Sequence, residues 1–217
     1  MSRPGFYGKL ASLGDFVSRG LPPDFTKRWD SWLAAGLHGS HQHLGDQWLE
    51  AYLISPLWRF TLAPGVCGQE AMAGVIMPSV DRVGRYFPLT VAQPLERDTD
   101  LASLVAGPQD WFEGVEQALL DTLQAEAELA PFVQALDRLP PLTVPVLSLH
   151  EQVDGLQRSA ATTPEARLAV LAQWACAGTS LWWGCGSERV DAGLVRCVGM
   201  PPEQVFSAFL QAQRGMP

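Results

Sequence analysis

The sequence contains no apolar run near the roughly 18–20 residues of a membrane span. Its start, Met1-Ser2-Arg3-Pro4-Gly5-Phe6-Tyr7-Gly8-Lys9, lacks the apolar centre of a secretory signal. These absences argue against membrane insertion and place the chain in the cytoplasm. Positive charge is scarce as well: 15 Lys and Arg stand against 23 Asp and Glu, a formal charge of -8 with pI about 4.9. Such a field repels nucleic acid and anionic lipid, leaving protein or small-molecule partners.

The chemistry-bearing patterns are thin. The four cysteines, Cys67, Cys176, Cys185 and Cys197, show no Cys-x-x-Cys spacing, so neither a zinc site nor a disulfide framework is indicated and all four read as reduced core residues. No Gly-x-Ser-x-Gly elbow is present, and neither Ser12 nor Ser79 has a nearby His and carboxylate. Gly5 to Leu10 resembles a phosphate loop only superficially, because Arg3 stands where a glycine is needed and Leu10 where Ser or Thr is needed. His38, His41 and His43 fall within six residues, but nothing completes a metal site, and the glycine-flanked polar run reads as a solvated connection. No cofactor, metal ligand or catalytic residue is assigned.

What the chain does have is apolar content. With 217 residues, 47% of them hydrophobic and 18% charged, it can bury a core as one domain over 1–217, with a sub-boundary near 130–145. After Pro22-Pro23, Asp24 is placed to cap a helix whose face carries Phe25, Trp29, Trp32, Leu33 and Leu37. The pattern loosens from Gly36 to Gly45 and resumes through Trp48, Leu49, Tyr52 and Leu53, a broken helical region ending at Pro56. Leu57–Leu62, Ala71–Met77 and Phe87–Ala92 read as strands of an antiparallel meander.

Asp98 and Asp100 precede a helical stretch, where capping is a better reading than metal binding. A long helix follows from about Trp111, with Asp110 and Glu113 spaced as a capping box, Phe112, Val115, Leu119 and Leu123 as its stripe, and Pro131 closing it. Val144–Leu149 reads as a short edge strand. Thr163 and Pro164 open a helix with Leu168, Leu171, Trp174 and Ala175 on one side. Ser180–Gly184 and Leu194–Val198 read as strands, and a last helix after Pro202 carries Val205, Phe206, Phe209 and Leu210. The fold class is therefore α+β, a largely antiparallel sheet flanked by helices.

Eight tryptophans are many for this length, and most sit on apolar faces, as core residues do. Trp182 differs: strand alternation turns it and Trp183 to opposite faces, so one packs inside while the other lies under a helix or at a partner surface. The most specific stretch is Gly74 to Thr90, where Pro78 ends an apolar strand and Asp81, Arg82 and Arg85 surround Gly84. The plainer reading of these three charges is a loop brace in which Asp81 accepts from an arginine or from loop amides. The sharper reading is a charged recognition surface.

Two motifs, Gly5-Phe6-Tyr7-Gly8-Lys9-Leu10 through Gly14-Asp15-Phe16-Val17 to Gly20-Leu21-Pro22, and Pro78-Ser79-Val80-Asp81-Arg82-Val83-Gly84-Arg85-Tyr86-Phe87-Pro88-Leu89-Thr90, together resemble the TagF family, also called ImpM. Trp29 to Leu33 and Ser180 to Trp183 fit the same family, whereas residues from about 125 to 172 contribute little. The resemblance implies a longin or SNARE-like layered arrangement. It also implies a cytoplasmic accessory protein of the bacterial type VI secretion system, a post-translational repressor that binds a forkhead-associated scaffold protein. Some members carry a fused protein phosphatase domain; none is recognisable here. The family supplies no catalytic residues. Lys9, Asp15, Asp81, Arg82, Arg85 and Trp182 are taken as partner-binding residues from their positions in the motifs. The alternative is a hydrolase with its site at the Pro78–Tyr86 loop.

Overall fold

A computed structural model describes residues 3–96, 98–124, 127–144, 151–154 and 156–211. Strands β1 (Gly5–Lys9) and β2 (Phe16–Arg19) form an antiparallel pair. Helices α1 (Pro23–Leu44) and α2 (Trp48–Leu53) follow, then β3 (Trp58–Leu62), β4 (Met72–Met77) and β5 (Leu89–Pro94). Next come α3 (Leu101–Ala106), α4 (Gln109–Asp121), α5 (Leu129–Asp137), the hairpin β6 (Glu151–Val153) and β7 (Leu156–Arg158), and α6 (Pro164–Cys176). Strands β8 (Thr179–Gly184) and β9 (Gly193–Val198) precede the short α7 (Ser207–Leu210). Among the described residues the main sheet has seven strands in the order β2-β1-β5-β4-β3-β8-β9, each neighbour antiparallel. The expected meander is its centre, and strands from both ends of the chain complete it.

Period-two alternation splits the core into two layers. Trp58, Phe60 and Leu62 of β3, Met72 and Ile76 of β4 and Trp182 of β8 pack with Phe25, Trp29 and Leu33 of α1 and with Phe206, Phe209 and Leu210. On the other face, Ala73, Val75, Met77, Leu89, Val91 and Leu181 meet Trp111, Phe112, Val115 and Leu119 of α4. Trp182 and Trp183 do face opposite ways, with Trp183 edge-on to Phe112 at 5.1 Å. Arg59 also points into the α4 layer, where Glu116 accepts from its Nε at 2.7 Å and its Nη2 at 2.8 Å. Its guanidinium lies over the Phe112 ring at 5.4 Å. Nothing in the spacing of Arg59 and Glu116 announced this bond, which joins residues far apart in sequence.

Several expectations are corrected. Asp24 does not cap α1, since the chain enters at Pro22; its Oδ2 accepts the Gln69 amide at 3.0 Å instead. The helix does not loosen at Gly36. It runs on to Leu44, because Gly36 is a close-approach position where a Cβ would fall 2.3 Å from the Phe206 ring, and Ser40 is buried accepting from Trp48 Nε1 at 2.9 Å. His38, His41 and His43 thus lie exposed on a helix, not in a connection. Helix α4 starts after Pro108 with no side-chain cap, so the Asp110 and Glu113 box does not form. It ends at Asp121, leaving Leu123 exposed, while Pro131 sits inside the first turn of α5, where its missing N–H has no consequence. The Asp100 cap is present, accepting from Ala102 and Ser103, as is the Thr163 cap, accepting from Ala166. Leu168 and Leu171 of α6 and Val205 are exposed, against expectation. The Val144–Leu149 strand lies outside the described residues apart from Val144, which is in no strand.

The cysteines divide as well. Cys67 and Cys176 are buried, and burial pushes the Cys67 thiol up to about 12. Cys185 is exposed and Cys197 half-buried, so the all-core reading fails for these two. Because the thiolate is the nucleophile, brief iodoacetamide treatment of native protein at pH 8 is expected to modify Cys185 first and spare Cys67 and Cys176. Peptide mass mapping checks this, and unfolding in urea should make all four react.

Candidate functional site

The two motifs named above meet at one corner of the sheet. Strand β1 carries Gly8 with φ +143, and a Cβ there would fall 2.1 Å from the Pro88 carbonyl oxygen, so only glycine lets the Pro88 backbone approach. That close approach sets β5 beside β1, with Tyr7 opposite Thr90. The loop between β4 and β5 then folds over the end of β1. Ser79 Oγ donates to the Lys9 carbonyl at 2.8 Å, and the Arg82 amide donates to Leu13 O at 3.0 Å. From the other side, Tyr52 of α2 accepts the Ser79 amide at 2.9 Å and donates to the Ser79 carbonyl at 2.8 Å.

Asp81 is the hub of this corner. Its Oδ1 accepts the amides of Val83 at 3.0 Å and Arg85 at 2.9 Å; its Oδ2 accepts Arg85 Nε at 2.6 Å and Lys9 Nζ. The loop closes on itself through Asp81 N to Arg85 O at 3.0 Å and Gly84 N to Asp81 O at 3.0 Å, a turn that Gly84 completes at φ +84. Arg85 also donates to the Gly14 carbonyl. Burial works against charge on Asp81, but the hydrogen bonds from Lys9, Arg85 and Val83 outweigh it and hold the carboxyl well below the usual carboxylate range.

An aromatic group backs the charges. The Lys9 ammonium sits 5.0 Å over the Phe16 ring, which stacks on Tyr7 at 5.5 Å and meets Phe87 edge-on at 4.9 Å. Tyr7 donates to Asp30 Oδ1 of α1 at 2.6 Å, and burial together with that carboxylate raises its pKa. Strand β1 is therefore tied to α1 through Tyr7 and Asp30, and to the loop and α2 through Lys9, Ser79 and Tyr52.

This geometry sorts the residues singled out in the sequence. Lys9 and Asp81 are 4% exposed and act on the loop, not on the solvent. Trp182 is 0% exposed, enclosed by Trp29, Trp32, Phe60 and Phe209 with ring centroids 5.1–6.0 Å away, so it has no surface to offer a partner. Its place facing α1 on β8, a strand flanked by β3 and β9, is the reason. Asp15, Arg82 and Arg85 are exposed. Arg85 combines the two readings, bracing Asp81 while its side chain remains 57% exposed.

Sequence reasoning passed over two apolar neighbours, Phe16 at 47% and Val83 at 65% exposure, which stand beside these charges on the outer side of the corner. A signal existed for both: each is a large apolar residue directly after a charged one inside a motif. The Tyr52 clamp had none. Ser79, the loop hydroxyl considered as a nucleophile, is 3% exposed with its proton directed at Lys9 O, so it is not presented to a substrate. Among the described residues no group of His, Cys, Asp and Glu is arranged to hold a metal ion. No helix among them is long and apolar enough to cross a membrane.

A family model described as TagF N-terminal domain, type VI secretion system-associated, matches residues 5–139, which include the whole corner. The crystal structure of PA0076 from Pseudomonas aeruginosa PAO1 is similar over 99% of this chain and 96% of that one, at 54% sequence identity and TM-score 0.94. No curated protein matches the chain.

Proposed function

The chain belongs to the TagF family of type VI secretion system-associated proteins, and we propose that it is a cytoplasmic, post-translational negative regulator of such a system, acting by binding a forkhead-associated scaffold protein. The observation that carries this reading is the corner itself. Val83, flanked by Arg82 and Gly84 on a loop that Asp81 holds in one shape, and Phe16 of β2, next to Asp15, are both large and exposed. Aromatic and arginine anchors on a rigid support suit protein recognition, because little conformational freedom is lost on binding. Lys9 and Asp81 act in this reading by shaping the surface from beneath.

The test uses purified chain and the purified forkhead-associated protein of the same secretion system, with calorimetry as the readout. Arg82→Glu combined with Val83→Asp is expected to weaken binding at least about ten-fold, a loss of roughly 1.4 kcal/mol, with the thermal midpoint of the free chain unchanged. Arg82 and Val83 are the residues to vary because both side chains are exposed, whereas Arg85 is part of the brace. Absence of binding by the unaltered chain, or equal binding by the variant, overturns the proposal.

A further inference from the structure

At the edge of the sheet opposite β2, strand β9 is bounded on one side by β8, and among the described residues no strand pairs with its other side. The Gly199 amide donates to the Gly178 carbonyl at 2.8 Å, which continues the β8–β9 register and makes that pair a hydrogen-bonded one. Bonded and non-bonded pairs alternate in an antiparallel ladder. Residues Cys197 and Val195 therefore bond to β8, and the backbone N–H and C=O of Leu194, Arg196 and Val198 point outward along the free edge.

The same three residues share a face of the sheet. Leu194 is 59% and Val198 75% exposed, and Arg196 is exposed between them. Natural edges are ordinarily guarded by charge, proline or a bulge. Strand β9 contains one charged side chain, Arg196, and no proline. On the same side lies α6, whose Ala175 carbonyl accepts Arg196 Nε at 2.8 Å. Leu168 and Leu171 share that stripe of α6 with Ala175 at i, i+3 and i+7 spacing, and both are exposed. The bond to Ala175 is what ties the β9 edge to this helix.

The geometry points to β9 as a strand-addition site that takes an extended segment of a partner protein reading apolar, acidic, apolar at alternate positions. An incoming residue opposite Arg196 exchanges both backbone hydrogen bonds with it and lies on the same face, so a carboxylate there meets a guanidinium that retains four further N–H donors. Apolar residues two positions to either side cover Leu194 and Val198. A second copy of this chain fits poorly. Two-fold pairing of β9 with itself sets Arg196 against Arg196, Leu194 or Val198, placing like charges together or leaving the guanidinium beside an alkyl group. This site lies at the far side of the sheet from the corner at β1 and does not depend on the function proposed above.

The probe is a synthetic peptide with blocked ends and the core Val-Thr-Glu-Thr-Val, which reads the same in either direction, and its control carries Lys for Glu. The full chain is expected to bind the Glu peptide at least about ten-fold more tightly than the Lys peptide by fluorescence anisotropy. Amide exchange should slow at Leu194, Arg196 and Val198. Arg196→Glu should invert the preference, which also shows that the variant is folded. Equal binding of the two peptides, no binding, or protection that spares β9 overturns the inference. So does sedimentation of the unaltered chain as a dimer that Val198→Lys converts to monomer.

Discussion

Replacing Asp81 by asparagine is expected to cause one of the two largest stability losses in this protein. The carboxylate accepts from Lys9, Arg85 and the amides of Val83 and Arg85, and the Lys9 ammonium it neutralises is 4% exposed. Removing one partner of a buried pair leaves the other charge desolvated and uncompensated, which costs more than the pair itself contributes. Lys9→Met in the Asp81→Asn background should recover part of the loss, whereas Lys9→Met alone should not stabilise. Chemical denaturation of the four species measures the coupling.

The pH dependence of the same pair has a definite sign. The folded-state pKa of Asp81 is depressed: burial opposes ionisation, and the bonds from Lys9, Arg85 and Val83 overcome that opposition. Such a group stabilises the fold fully above its unfolded value, about 4, and loses that contribution as pH falls from there toward the lower folded value. The native chain should therefore lose stability below about pH 4 more steeply than Asp81→Asn, and their unfolding midpoints should converge in acid. Parallel curves down to pH 2 would show that the carboxylate is not what holds the loop.

Trp182→Ala should bring a comparable loss by a different route. The side chain has no exposed surface, and it links α1, β3 and α7 through rings of Trp29, Trp32, Phe60 and Phe209. Large-to-small changes at such sites cost ~3–5 kcal/mol, a fall in Tm of roughly 6–20 °C at the ~2–4 °C per kcal/mol expected for a chain of this size. Trp182→Phe separates packing from polarity. The indole N–H has no hydrogen-bond partner among the described residues, so phenylalanine keeps most of the ring contact while removing a buried donor that gains nothing, and its loss should be markedly smaller. A phenylalanine variant as unstable as the alanine variant would mean that the N–H is bonded after all. A fall in partner binding without a fall in Tm would return Trp182 to the surface role once expected of it.

The sequence by itself determined the elements whose signals are local. Alternation in Trp58–Leu62 and Ser180–Gly184, the caps at Asp100 and Thr163, and the two motifs that mark the TagF family rest on residues a few positions apart. The opposition of Trp182 and Trp183 followed from the two-residue strand period alone. What only the tertiary structure decided are matters of long-range contact. Gly36 reads as a helix breaker in the sequence but lets Phe206 pack against α1, and the Asp110 and Glu113 spacing carries no sign that the helix already starts after Pro108.

The divide runs through the corner as well. That Asp81 would brace the loop was legible in its spacing from Arg85, because a short loop brings the two within reach. That Lys9 joins them, that Tyr52 clamps Ser79, and that Phe16 and Val83 are the residues left facing outward depended on β1 pairing with β5 across some eighty residues of chain. The register of that pair, made possible by Gly8 lying against the Pro88 backbone, determines which members of the two motifs are buried as supports and which remain on the surface.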